Sequence, residues 1–123
     1  MISVPLRTGN GMNSREHHMA RARRVKRERE AAAWMLKRAE KPILPCVVLL
    51  TRSAPSNGLD RDNLQGALKA VRDQVAEWLE VDDRDESSVR YEYAQIRGPW
   101  AVSFEFKDVD SQQLHTMVKD WQR

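Results

Sequence analysis

The chain has 123 residues and a mass of 14.3 kDa, enough for one hydrophobic core and too little for two. With 41% hydrophobic and 32% charged residues it is neither fibrous nor low-complexity, and no apolar run approaches the roughly 20 residues of a membrane span. The net charge of +3 is uneven: residues 1–41 hold eleven Lys/Arg against four Asp/Glu, and the rest ten against fourteen, so a basic arm precedes an acidic centre.

Residues 1–12 read as an extended entry without the charged-then-apolar order of a secretory signal. Asn13 with Glu16 has the spacing of a capping box, with Ser14 as an alternative cap, and predicts a basic helix over about 14–39 that stops before Lys41-Pro42. Its apolar stripe is thin (Ala22, Val25, Ala32 or Ala33, Leu36), while Arg15, Arg21, Arg23, Arg24, Lys26, Arg27 and Arg29 make it a candidate phosphate-binding surface. Ile43 to Thr51 is β-branched and apolar, the pattern of a strand covered on both faces. It contains the lone Cys46, which is expected to be a buried apolar group with no disulfide partner, in keeping with a reducing cytoplasm.

Leu64, Ala67, Leu68, Val71, Val75, Trp78 and Leu79 share one face of a second helix, with Asp62 and Gln65 placed to cap its start. Val89 to Arg97 and Trp100 to Lys107 flank Gly98-Pro99 as a hairpin, in which Trp100, Val102, Phe104 and Phe106 form the inner face. Asp110 opens a last helix with Leu114, Met117, Val118 and Trp121 inside. The whole predicts a single α+β domain over 1–123, a small sheet with packed helices in the order α-β-α-β-β-α.

The chemistry concentrates in Asp60-Arg61-Asp62-Asn63-Leu64 at the start of the second helix and Asp82-Asp83 just after its end. Carboxylates gathered from both ends could hold a hard divalent cation through oxygen ligands. Capping needs one Asp of the first pair, and an acidic turn is often only solvated, so spacing alone leaves a structural role open. At 100° per residue, Lys69 and Asp73 fall within about 20° of Asp62 around the helix, with Gly66 between them. His17-His18 lack the i, i+4 spacing that zinc favours, and no Gly-x-Ser-x-Gly turn supports a serine nucleophile.

The run Asp60-Arg61-Asp62-Asn63-Leu64 followed by Asp82-Asp83 resembles the signature of the RusA family of Holliday junction resolvases, phage-encoded members included. The Asn13-to-His18 lead into an Arg-rich helix is similar to phage members, less specifically. The resemblance implies a homodimer that binds four-way DNA junctions during recombination and repair in a bacterial or phage-infected cytoplasm. It also implies paired symmetric nicks made with Mg²⁺, or Mn²⁺ in its place. Catalytic and metal-binding roles then map onto Asp60, Asp62 and the Asp82/Asp83 pair, with Asp83 favoured as the ligand. The family's active-site lysine falls at Gly66 here, and Lys69, one turn on, is the candidate substitute. The alternatives are a non-catalytic module for branched or single-stranded nucleic acid and a protein-interaction adaptor.

Overall fold

A computed structural model describes residues 2–10, 17–82 and 84–109. Apolar segments from both halves of the chain build one four-stranded sheet from β1 (Ile2–Val4), β2 (Cys46–Ala54), β3 (Val89–Arg97) and β4 (Ala101–Asp108), in the order β1-β4-β2-β3. Helices α1 (His18–Leu36), α2 (Arg61–Ala67) and α3 (Lys69–Leu79) supply the rest of the core. The fold is α+β, and the order of elements is β-α-β-α-α-β-β where α-β-α-β-β-α was expected.

Three differences account for this. The extended entry adds a short edge strand, with Val4 opposite Val102. The long second helix breaks at Leu68, whose φ of −99° and ψ of 2° leave the helical region and separate α2 from α3. The expected last helix, with His115 and Trp121, lies outside the described residues.

The expected hairpin is also absent. β3 and β4 are joined by the short Gly98–Trp100 turn yet do not pair; β2 lies between them, parallel to β3 and antiparallel to β4. Alternation shows which residues of a strand face inward and is silent on its neighbours, and the densely apolar β2 takes the doubly paired central place. Its even positions Cys46, Val48 and Leu50 share the inner face with Val89, Tyr91 and Tyr93 of β3 and Phe104 and Phe106 of β4. Leu64, Leu68, Val71, Val75 and Leu79 pack onto that face, as their spacing predicts.

The parallel pairing of β2 with β3 fixes the path of the chain. Residues 55–88 must carry it from the C-terminal end of β2 back to the level of Cys46, where Cys46 N–H donates to Ser88 O. The α2–α3 run spans about 28 Å at 1.5 Å per residue, so it returns along the full length of the sheet.

α1 starts later and ends sooner than expected. His17 is its cap, with Nδ1 accepting from Met19 N–H at 3.2 Å, while Asn13, Ser14, Arg15 and Glu16 lie outside the described residues. Ala32 and Leu36 are buried as expected, whereas Ala22 is exposed and Val25 half-buried. Cys46 is buried, and burial pushes its thiol pKa up to about 11, which suits an inert core group. No helix among the described residues is long and apolar enough to cross a membrane.

Candidate functional site

At the C-terminal end of the β2/β3 pair the chain passes through an exposed loop into α2. Gln95 of β3 clamps that loop from both sides: Leu59 N–H donates to its Oε1 at 2.8 Å, and its Nε2 donates to Leu59 O at 2.7 Å. Gly58 lets the clamp close tightly, since a Cβ there would stand 3.0 Å from the Gln95 amide and displace it by a few tenths of an ångström. The clamp delivers Asp60 to the helix start. Asp60 Oδ1 accepts from Asn63 N–H at 2.9 Å and Oδ2 from Asn63 Nδ2 at 3.1 Å. The cap is therefore Asp60, and the expected Asp62–Gln65 cap does not form. Asp62 is left exposed in the first turn, where its negative charge faces the positive helix end.

Beyond α2, a groove of about 440 Å³ runs between α1 and the α2–α3 pair, lined by Arg21, Arg24, Val25, Gly66, Lys69, Ala70 and Asp73. Gly66, Lys69 and Asp73 thus share one surface, as helical spacing predicts, although Asp62 does not line this groove. Lys69 Nζ donates to Asp73 Oδ2 at 2.8 Å, an i, i+4 pair with the lysine largely exposed. A surface pair of that kind contributes little to stability.

The basic residues of α1 divide into two sets. Arg29 is committed to α3 through Gln74 and Glu77, and Arg24 donates to Glu28 Oε2 at 3.0 Å. Glu28 is completely buried and also accepts from Gly9 N–H at 3.1 Å, tying the entry segment to α1. Burial raises its carboxyl pKa above the ordinary value, although the neighbouring Arg24 acts the other way. Arg21, Arg23, Lys26 and Arg27 are exposed and remain the solvent-facing part of the expected DNA surface; Arg15 is outside the described residues.

The second acidic group stands elsewhere. Asp82 follows α3 and is exposed, with Oδ1 accepting from Arg84 N–H at 2.9 Å. Asp85 is occupied by Ser87 and Ser88, whose side-chain hydrogen bonds, Ser87 foremost, hold its carboxyl below its ordinary pKa. This turn leads into the start of β3, while Leu59 and Asp60 are fixed at Gln95, six residues further along that strand. Six strand residues cover about 20 Å. Convergence of Asp60 and Asp62 with Asp82 inside one protomer is therefore not what this fold produces. Asp83 lies outside the described residues, and among those described no three His, Cys, Asp or Glu side chains gather as a metal site.

Sequence reasoning also missed a polar cluster at the same end of the sheet. Arg52 of β2 is 2% exposed and its Nε donates to Thr8 Oγ1 at 3.0 Å, with Trp100 stacked on the guanidinium. Trp100 is half-buried and Trp34 is 60% exposed. No protein-family model, no curated protein and no solved structure matches the chain.

Proposed function

We propose that the protein is a Mg²⁺-dependent endonuclease of the RusA type, acting as a homodimer on four-way DNA junctions by paired symmetric nicks. The observation that carries this reading is the placement of Asp60 and Asp62, both exposed, where α2 opens at the C-terminal end of β2, with the Arg21–Arg24–Lys69 groove on the neighbouring helices. Ligands of sheets with parallel strands commonly bind at that end.

The carboxylates fit a Mg²⁺ ion. Asp60 keeps free lone pairs on both oxygens after accepting from Asn63, and Asp62 is unobstructed at the surface. Mg²⁺ is often held by one or two carboxylates together with waters and phosphate oxygens. Bound there, Mg²⁺ or Mn²⁺ supplies Lewis-acid activation of a water and of the phosphodiester. Asp60 and Asp62 would hold the ion, Lys69 would offset charge on the phosphoryl oxygens once released from Asp73, and Arg21, Arg23, Lys26 and Arg27 would bind the flanking backbone.

The third carboxylate comes from a second copy. A homodimer whose dyad ran beside α2–α3 would set the end of that run in one copy against its start in the other, and the Asp82-Asp83 pair of each protomer would then complete the site of its partner. Two such sites related by the dyad suit the near-two-fold symmetry of a junction.

A binding-only module is favoured by one observation, that each oxygen of Asp60 already accepts one bond from Asn63. A labelled synthetic junction separates the two readings. The nuclease nicks it with Mg²⁺ and not with EDTA, whereas a binding module retards it equally in both and leaves it intact.

A further inference from the structure

Arg52 interrupts a pattern. The inward positions of β2 run Cys46, Val48, Leu50, Arg52, Ala54, and all five are buried, so a cation occupies a core position. Its Nε is satisfied by Thr8 Oγ1 and its guanidinium lies 5.3 Å from the centre of the Trp100 ring. Nη2 is buried and meets no acceptor, and no carboxylate among the described residues forms an ion pair with it. Buried guanidinium groups are ordinarily paired, because an uncompensated charge in the interior is costly. A core side chain in this state retains a buried donor able to take an anion's oxygen.

Its position says which anion. Arg52 pairs in register with Gln95, and partners in a sheet project from the same face. Gln95 is the residue that clamps Leu59, immediately before Asp60. Arg52 therefore belongs to the end of the sheet from which the acidic pair projects. The Thr8–Gly9 segment on its other side is tied to basic α1 through Glu28. Arg7, which is exposed, also stacks on Trp100 at 5.3 Å, adding a second cation at the mouth.

We propose that Arg52 is a phosphate-binding residue of the candidate site, seating a phosphodiester oxygen on Nη2 between Thr8 and Trp100. That the oxyanion belongs to DNA rests on the nuclease reading; that an oxyanion binds there does not. Thr8 keeps its hydroxyl proton after accepting from Arg52, so guanidinium and hydroxyl offer two convergent donors. Trp100 and Arg7 lie toward solvent, and rotation of these two side chains opens the seat.

The test uses the full chain, with inorganic phosphate as the probe. Melting is followed in phosphate and in chloride at equal ionic strength for the wild type, Arg52→Met, Arg52→Lys and the remote surface control Lys37→Gln. Junction affinity is measured in EDTA. Phosphate is expected to raise the melting temperature of the wild type and of Lys37→Gln. Arg52→Met is expected to lose that gain, to melt no lower than the wild type in chloride, and to bind the junction about tenfold more weakly, the loss of one charge-assisted contact. If Arg52→Met does not fold, Arg52→Lys is read in its place, since it keeps the charge and loses the fork. A full phosphate gain in the variant that folds, or no gain in the wild type, overturns the seat. A protein that shows the Arg52-dependent gain and never nicks a junction keeps the seat and loses the nuclease. One that nicks while its phosphate response ignores Arg52 loses the seat alone.

Discussion

Replacing Asp62 with Asn is expected to abolish nicking of a four-way junction, by at least about 100-fold, while junction binding in EDTA stays within about twofold of the wild type. The side chain is exposed and forms no cap, so its removal leaves the packing of α2 undisturbed. Only the weak attraction between its charge and the helix end is lost, about 0.5 kcal/mol of stability. An amide of the same shape cannot hold Mg²⁺ as a carboxylate does. Rate and fold thus separate cleanly at this position, and Asp62→Asn nicking at the wild-type rate would remove the residue from the reaction.

Asp60 gives the second large effect, and two substitutions divide its two roles. Asn is as good a helix cap as Asp, so Asp60→Asn should keep the bond from Asn63 N–H and lose only the one from Asn63 Nδ2, unfolding in urea about 1 kcal/mol below the wild type. Asp60→Ala removes both acceptors that Asp60 offers to Asn63, cap included, a loss of about 2 kcal/mol. Both should fail to nick. Were Asp60→Asn to cut normally while Asp60→Ala merely unfolds earlier, Asp60 would be a cap and nothing more, and the binding-only reading would gain.

The inner stripe from Leu64 to Leu79 was legible because helical spacing records burial directly, and the structure buries Leu64, Leu68, Val71, Val75 and Leu79 accordingly. The break at Leu68 carried no such signal: it is a backbone event at an apolar residue that stays in register with the stripe. Strand order was hidden for a related reason, since a short Gly98-Pro99 turn reads as a hairpin whether or not a third strand lies between its arms. The apolar run predicts a strand over Ile43 to Thr51, bounded by Pro42 and by Ser53-Ala54-Pro55-Ser56, yet β2 runs from Cys46 through Ala54 with Arg52 inside. A charge in the core defeats a reading by hydropathy.

In the candidate site, the Asp60/Asp62 pair and the shared surface of Gly66, Lys69 and Asp73 were legible. Which Asp caps the helix was not, because either Asp of the pair can accept from the first-turn N–H groups and the choice depends on Gln95, distant in sequence. The distance between the two acidic groups was hidden as well. It follows from the parallel pairing of β2 with β3, a tertiary fact that local spacing does not encode.

The measurement that bears most directly on the composite site mixes two variants, Asp62→Asn and Asp83→Asn, each expected to be inactive alone. In a mixed dimer one site carries both lesions and the other carries neither, so exchange of protomers should restore single nicks to about one quarter of the wild-type rate. A mixture as inert as its components, in dimers shown to have exchanged, would contradict the sharing of carboxylates between two copies on which the cutting mechanism depends.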